Sequence, residues 1–248
     1  MTQGKYRTAI YDKYVSVQMP EWAENNTEAS AVSSAGTLRR LKGWLPPDHT
    51  AKCLDLGCGP GRLLLALRGA GYHDVSGVDV SPQSVSLARA TGLQIAQADL
   101  RDYLLNSPGA YDLITAFDVI EHFHKDELLE LFQLVRSRLA PDGRFIIQTP
   151  NASSPWAAGC RYGDLTHELI FNVKALVSLA RVTGFGDVCA REVAPHIHGI
   201  TSAVRGFGWR LIWSCCAMWN LIETGNTQGG IYTRNLVLLC INKKAAGC

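Results

Sequence analysis

The chain has 248 residues, of which 47% are hydrophobic and 19% charged, and its 24 basic and 22 acidic side chains leave a formal charge of +2. This composition excludes disordered, collagen-like and coiled-coil proteins and is sufficient for one sizeable hydrophobic core. Because the charges are nearly balanced, there is no electrostatic basis for nucleic-acid binding, and we expect no nucleic-acid partner.

The eight cysteines are scattered, and no two of them form a Cys-x-x-Cys pair that would indicate a zinc site. This usage favours a reduced compartment. The first twenty residues lack the basic start and apolar run of an export signal. The most apolar late stretch, residues 211–222, is shorter than the roughly 20 residues that span a bilayer. The sequence therefore predicts a cytoplasmic protein.

Residues 1–45 are polar with helical spacing, and we expect them to form a lid on the domain that follows, residues 46–248. From residue 51 onward, runs rich in Val, Ile and Leu alternate with helical patterns, which indicates βαβ units. Strands are predicted at 52–56, 74–80, 93–97, 111–117, 143–149, 186–194 and 234–242. Helices are predicted at 63–68, 82–90, 125–139 and 173–183, and Pro141-Asp142-Gly143 is predicted to turn the chain into the fifth strand.

A glycine-rich turn, Cys53-Leu-Asp-Leu-Gly-Cys-Gly-Pro-Gly-Arg62, follows the first predicted strand. Its glycines, Gly57, Gly59 and Gly61, let the backbone turn tightly and approach a ligand without Cβ clashes. The spacing is Gly-x-Gly-x-Gly with Asp55 ahead of it, whereas nicotinamide and flavin sites carry Gly-x-Gly-x-x-Gly. The turn therefore predicts a ligand site, but not the usual dinucleotide site.

Two more acidic residues end neighbouring strands. Asp79, in Val78-Asp-Val-Ser81, is placed to accept hydrogen bonds from both hydroxyls of a ribose. Asp99, in Gln97-Ala-Asp-Leu100, could receive an adenine amino group. Taken singly, either residue could equally be an ordinary strand-end or capping residue.

The ordered set LDLGCGPG, GVDVS, QADL, YDLITAFDVIEHF and GRFIIQTPN resembles the class I S-adenosylmethionine (AdoMet)-dependent methyltransferases, from about residue 37 to the last strand. The resemblance implies a Rossmann-like α/β fold with a seven-stranded, mostly parallel sheet, an antiparallel last strand and helices on both faces. It also implies AdoMet as the cofactor and S-adenosylhomocysteine as the product.

By the same resemblance, the glycine turn holds the methionine part, Asp79 binds the ribose, Asp99 lies beside adenine, and Phe117 and Asp118 lie near the methionine end. The residues expected to bind the cofactor are Asp55, Gly57, Gly59, Gly61, Asp79, Val80, Asp99, Leu100, Phe117 and Asp118.

Two histidines are candidate general bases, since imidazole titrates near neutrality. His122 follows the fourth strand, and His167 lies in a polar loop with Asp164 or Glu168 as a possible orienting carboxylate. We prefer His167. The alternatives are that His122 only orients the next helix and that His167 is a structural loop residue.

A metal site is not expected. The pairs His122-x-His124 and His196-x-His198 are by themselves a weak signal for a metal site.

The acceptor is expected to be a hydroxyl group. Residues 162–185 resemble methyltransferases that act in polysaccharide biosynthesis, and similar histidine loops occur in ubiquinone-type O-methyltransferases. We expect a small molecule, foremost a sugar or glycan; the alternatives are a quinone or natural-product phenol, or a non-catalytic AdoMet-binding protein. The residues expected to bind the acceptor are Tyr11, Tyr14, Asn151, Tyr162, His196 and His198.

Residues 195–233 are too long for a tight hairpin and are expected to form a helical excursion over the acceptor site. The part from 204 to 225 contains Trp209, Trp213 and Trp219. Its apolar face could pack on the core, cover the acceptor, join a homodimer or lie on a membrane surface.

Overall fold

The computed structural model describes residues 5–18, 36–195, 199–226 and 230–243. All seven predicted strands are present. They are β1 (Cys53–Leu56), β2 (Val75–Asp79), β3 (Gln94–Gln97), β4 (Tyr111–Phe117), β5 (Leu139–Pro150), β6 (Val188–Glu192) and β7 (Asn235–Ile241).

The strands form one sheet in the order β3-β2-β1-β4-β5-β7-β6. Strands β1 to β5 pair in parallel, and β7 is antiparallel to both of its neighbours, β5 and β6. This is the predicted arrangement. The strand order reverses between β1 and β4, and ligands bind at that point in open α/β sheets, outside the carboxyl ends of the strands.

The helices are α1 (Lys5–Tyr11), α2 (Tyr14–Gln18), α3 (Arg62–Gly69), α4 (Pro82–Ala90), α5 (Leu100–Asn106), α6 (Lys125–Arg138), α7 (Ala157–Tyr162), α8 (Val173–Val182) and α9 (Ile200–Thr224). A 3₁₀ turn, Ile120–His122, follows β4. The four helices predicted between strands are confirmed. The sequence reading missed α5 and α7, because helices of seven and six residues are too short to establish a hydrophobic period.

Alternate residues of the central strands enter two separate hydrophobic clusters. On β4, Ile114 and Ala116 belong to one cluster and Leu113 to the other. Helix α6 covers the first face, whereas α3 and α4 cover the second. The helices therefore lie on both faces of the sheet, and each fully buried Leu or Phe contributes about 1.5–3 kcal/mol to holding them there.

The turn predicted at 141–143 lies inside a strand. Strand β5 starts at Leu139, which pairs with Tyr111, and pairing resumes with Arg144 opposite Leu113. Asp142 has a φ of 61°, as the predicted turn requires. The intervening residues thus form a bulge that shifts the register within β5.

Helix α9 is not packed into the core. Of its 25 residues, Ser202 is the buried one, whereas Phe207, Trp219 and Ile222 are 65%, 72% and 78% exposed. Trp213 anchors the helix by donating from Nε1 to the carbonyl of Gly230 at 3.1 Å. Among the residues described, no helix is both long enough and apolar enough to cross a membrane.

Candidate active site

A cavity lies at the carboxyl ends of β1, β2 and β4. Its walls come from the glycine turn, the ends of β2 and β4, the start of α5, helix α6 and the N-terminal helices. It is lined by Arg7, Tyr11, Tyr14, Gly57, Gly59, Asp79, Val80, Ser81, Asp99, Leu100, Arg101, Phe117, Asp118, Val119, His122, Phe123 and Glu127. Eight of the ten residues expected to bind the cofactor are among them.

The three glycines of the turn serve different purposes, although each has a positive φ. A Cβ on Gly57 would lie 2.5 Å from Val119 Cγ2, and one on Gly61 would lie 2.4 Å from Leu93 Cδ1. At Gly59 a Cβ would enter open space. Gly57 and Gly61 are therefore required for packing, and the missing side chain of Gly59 leaves room in the cavity for a ligand.

The Asp79 carboxylate is held by main-chain amides. Gly59 N–H donates to Oδ2 and Ser81 N–H donates to Oδ1, both at 2.8 Å. Burial raises the pKa of Asp79, and these amide hydrogen bonds oppose that shift. The glycine turn and the end of β2 thus fix a carboxylate that keeps further lone pairs for a ligand in the cavity.

Asp55 and Gly61 do not line the cavity. Asp55 lies beneath the glycine turn, 3% exposed, and its Oδ1 accepts a hydrogen bond of 2.6 Å from Thr115 Oγ1. Burial raises the pKa of Asp55 to about 7. In this structure Asp55 joins β1 to β4, and Gly61 allows α3 to pack against Leu93.

Asp99 begins α5 as its N-cap. Its Oδ1 accepts from the amide of Arg101 at 2.9 Å, and Arg101 also lines the cavity. The sequence identified Asp99 but gave no signal for Arg101. It does not show whether a basic side chain in the first turn of a helix faces a cavity or the solvent.

Asp118 follows β4 with a φ of 55°. Gln148 Nε2 donates to its Oδ2 at 3.0 Å, and Asn235 Nδ2 donates to its Oδ1 at 3.4 Å. The carboxyl opens to the cavity, but protein surrounds it on the other sides, and this loss of solvation raises the pKa of Asp118 to about 6.

The N-terminal helices close one side of the cavity. Arg7 is 7% exposed and forms ion pairs with Glu127 of α6 at 3.5 Å and with Glu168 at 3.3 Å. The Tyr6 hydroxyl also donates to Glu168, and the amide of Ser16 donates to Gln83 Oε1 at 3.2 Å. Sequence reasoning missed Arg7, since nothing in the pattern separates it from a solvated arginine.

Tyr11 and Tyr14 lie on the cavity as expected. Their ring centroids are 6.0 Å apart, and the ring of Tyr11 lies edge-on to His122 with a centroid distance of 6.3 Å. Burial raises the pKa of Tyr11 to about 12 and that of Tyr14 further above its ordinary value. Both phenols are therefore neutral, and this side of the cavity is aromatic.

The two candidate bases lie together. The rings of His122 and His167 are 4.8 Å apart at their centroids. His122 lines the cavity, whereas His167 does not. Burial, and secondly the proximity of His167, lower the pKa of His122 to about 4. His122 is therefore a neutral imidazole at physiological pH.

Glu121 completes this cluster and was not among the predicted site residues. Its Oε2 accepts from Thr149 Oγ1 at 3.0 Å, and its Oε1 is buried without a hydrogen-bond partner. Burial raises the pKa of Glu121 well above its ordinary value, and the nearby Asp118 adds to the shift. The sequence shows that Glu121 and His122 are adjacent, but it does not show that both lie close to His167.

Two predicted acceptor residues lie away from the cavity. The Asn151 side chain is fully buried and donates to the carbonyls of Ile231 and Thr233, at 2.6 and 2.9 Å, so it holds two loops together. Tyr162 is 81% exposed at the end of α7. His196 and His198 lie outside the described residues.

The comparison with protein families agrees with this geometry. A family model described as a methyltransferase domain matches residues 19–190, which is more than half of the chain. The chain belongs to this methyltransferase family. It is a class I AdoMet-dependent methyltransferase, and its cavity combines an open approach at Gly59 with a fixed carboxylate at Asp79.

Individual relatives are similar over smaller regions or at lower identity. The ubiquinone biosynthesis O-methyltransferase of Xylella fastidiosa is 33% identical over 111 residues, which are 42% of this chain and 44% of that protein. The match thus spans less than half of the length of this curated relative.

Two solved structures share the fold. A SAM-dependent methyltransferase from Archaeoglobus fulgidus has a TM-score of 0.64 at 20% identity, covering 86% of this chain and 94% of that one. Phosphoethanolamine N-methyltransferase 2 of Haemonchus contortus, solved with S-adenosyl-L-methionine, has a TM-score of 0.60 at 17% identity, covering 84% and 52%.

Proposed function

We propose that this methyltransferase transfers the methyl group of AdoMet to a hydroxyl group of a small aromatic molecule, a phenol of the quinone type. The observation that carries the proposal is one continuous cavity that joins the glycine turn and Asp79 to His122, with Tyr11 and Tyr14 along its acceptor end. The similarity to the ubiquinone biosynthesis O-methyltransferase of Xylella fastidiosa supports the same acceptor class.

The donor end of the cavity, at the glycine turn and the strand-end aspartates, is proposed to hold AdoMet through main-chain groups and carboxylates. Asp79 accepts the ribose hydroxyls, Asp99 lies beside the adenine, and Asp118 faces the methionine amino group. When bound, AdoMet supplies an electrophilic methyl group on a sulfonium. The protein then has to align the acceptor oxygen, exclude water and remove one proton.

Several cavity residues are suited to these tasks. Tyr11 and Tyr14 offer ring faces for an aromatic acceptor and exclude water. The neutral imidazole of His122 is proposed to take the hydroxyl proton as the oxygen–carbon bond forms. His167, which we preferred from the sequence, lies behind His122 and is proposed to position it.

The lowered pKa of His122 favours a phenol over a sugar as the acceptor. An imidazole with a pKa of about 4 is a weak base. A phenol, with a pKa of about 10, requires less help to lose its proton than an aliphatic alcohol does. The sugar or glycan acceptor expected from the sequence stays a prediction, and the experiment below includes it.

The test is methyl transfer from labelled AdoMet to a panel of dihydroxybenzoates, alkylated hydroquinones and free sugars, with S-adenosylhomocysteine formation as the readout. We expect methylated phenols. We also expect His122→Ala to reduce the rate by about 100-fold or more while AdoMet binding persists. The exposed His73 gives a control, His73→Ala, with unchanged rate.

Transfer to sugars alone would overturn the phenol assignment. Turnover by His122→Ala at the unmodified rate would overturn the role of His122. AdoMet binding without transfer to any member of the panel would count against the proposal as a whole.

A further inference from the structure

We propose that Glu121, His122 and His167 form a binding site for a divalent transition-metal cation of the zinc class at the acceptor end of the cavity. One ligand atom from each of the three side chains lies within 4.8 Å of the other two. Two imidazoles and one carboxylate are a common ligand set for such ions, with a further position left for water or substrate.

The carboxylate of Glu121 lacks a partner at the place where an ion would lie. Its side chain is fully buried, and Oε1 accepts no hydrogen bond. A buried carboxylate oxygen without a partner is costly, so it requires a proton or a cation. His167 Nε2 is 4.0 Å from this oxygen. That separation is too long for a hydrogen bond and close to the approximately 3.3 Å between ligands of a tetrahedral ion with bonds of about 2.0 Å.

The second nitrogen of His167 is held by the main chain. Its Nδ1 lies 2.9 Å from the carbonyl of Cys160, and a carbonyl only accepts, so Nδ1 carries a hydrogen. Arg161 holds the same loop by donating to the carbonyls of His167 and Glu168. In the tautomer that donates from Nδ1, the Nε2 lone pair is the one available to a cation beside Glu121.

His122 is fixed in the same way. Its Nδ1 lies 2.9 Å from Thr166 Oγ1 and 3.2 Å from the carbonyl of Thr166. The Thr166 hydroxyl gives its own hydrogen to Asp164 Oδ1 at 2.6 Å, so it accepts from His122 Nδ1. Nε2 of His122 thus keeps its lone pair. Such hydrogen bonds to the second nitrogen are typical of metal-binding histidines.

The charge around the cluster favours a cation. Burial is the main cause that raises the pKa of Glu121, and the nearby carboxylates of Asp118 and Asp164 add to it, so two further acidic side chains lie close to the cluster. Main-chain bonds also bring the two segments together, since the amides of Glu168 and Leu169 both donate to the Glu121 carbonyl, at 2.8 and 3.0 Å. The ligands are therefore held in place before any ion binds.

An ion in this cluster would have one open side, because His122 lines the cavity. This part of the inference rests on the proposed function. With an ion bound, His122 Nε2 is a ligand, and the ion takes over the activation proposed above for the free imidazole: a coordinated acceptor hydroxyl would have a lowered pKa and would release its proton to solvent.

The test measures metal binding without AdoMet or acceptor. Protein stripped with a chelator is titrated with Zn²⁺ by calorimetry and with Co²⁺ by visible absorption. We expect one equivalent to bind, with an absorption spectrum of low-coordinate Co²⁺. We expect His167→Ala and Glu121→Gln to weaken the binding by at least about 100-fold.

His124→Ala is the matched control, because His124 lies two residues from His122 with its side chain 61% exposed. It is expected to bind Zn²⁺ like the unmodified chain. Because Glu121 is buried, the fold of Glu121→Gln is checked by thermal unfolding. If Glu121→Gln does not fold, His167→Gln serves as the second variant.

Binding that is absent at 100-fold molar excess of Zn²⁺, or equal in the unmodified chain and in a folded His167 variant, would overturn the site. Since no methyl transfer is involved, failure of the proposed acceptor chemistry would leave this result unaffected.

Discussion

The two ends of the cavity are built by different means. The donor end is held by main-chain amides: those of Gly59 in the glycine turn and Ser81 after β2 donate to Asp79, and that of Arg101 donates to Asp99 two residues before it. The acceptor end is held by side chains from distant segments, as in Arg7 with Glu127 and Glu168, and His122 with Thr166. The comparison teaches that local backbone geometry fixes the donor end, whereas the acceptor end depends on how distant segments pack.

The largest effect expected at the donor end is the loss of Asp79. Asp79→Ala removes a carboxylate that we propose for two charge-assisted hydrogen bonds to ribose, so AdoMet affinity should fall about 100-fold. The measurement is calorimetric titration with AdoMet and S-adenosylhomocysteine. Asp74→Ala, an exposed residue just before the other end of the same strand, is the control and should leave affinity unchanged. If the AdoMet affinity of Asp79→Ala is undiminished, the proposed binding of AdoMet by Asp79 is wrong.

Substitutions at two glycines of the turn should separate an effect on stability from an effect on AdoMet affinity. Gly61→Ala places a methyl group 2.4 Å from Leu93 Cδ1 at a φ of 85°, so the free energy of unfolding should fall by about 2–4 kcal/mol. Gly59→Ala meets no atom within 4 Å and should lose only about 1 kcal/mol of stability from its positive φ, while AdoMet affinity falls.

Chemical denaturation and AdoMet titration measure the two quantities. Gly69→Ala, at the end of α3 with open space and an ordinary φ, is the matched control: it should leave AdoMet affinity unchanged and should raise stability slightly, by up to about 1 kcal/mol. If Gly59→Ala binds AdoMet normally, the proposed close approach at this position is wrong.

The N-terminal helices provide a test of the acceptor end. Arg7→Met leaves Glu168 and Glu127 without this cation, so residues 5–18 should close less firmly over the cavity, and AdoMet affinity should fall about tenfold. Hydrogen exchange of residues 5–18 should rise in parallel. Lys13→Met, an exposed position on the same segment, should show neither change. A loss of affinity without faster exchange would contradict the closing role.

The smallest effect expected is a pH dependence. The carboxylate of Asp118, with a pKa of about 6, is proposed to face the cationic amino group of AdoMet. Binding favours the charged form, so affinity should decrease as the pH falls through about 6, by about fivefold.

Titration calorimetry at several pH values between about 5 and 8, on both sides of the Asp118 pKa, measures this dependence. In Asp118→Asn the dependence should be absent and affinity should equal the low-pH value throughout. A profile that still falls near pH 6 in Asp118→Asn would assign the titration to another group.

The fold and the donor end could be predicted from the sequence because their signals are local. Strand periodicity, the spacing of Gly57, Gly59 and Gly61, and the strand-end acids each depend on a few consecutive residues, and parallel strands bring their carboxyl ends to one edge. Even so, Asp55 and Gly61 were expected at the ligand and lie behind it, since exposure to a cavity depends on packing from the other side of the turn.

The acceptor end was decided by tertiary structure. Nothing local indicates that Arg7 pairs with Glu127 and Glu168, that Asn151 turns inward to main-chain carbonyls, or that His167 approaches Glu121. These contacts join residues far apart in the chain, and a side chain's partner there follows from how helices and loops pack over the sheet. The sequence by itself determined the sheet and the glycine turn, because short-range backbone geometry sets both; only the folded chain placed the groups that we propose to meet the acceptor.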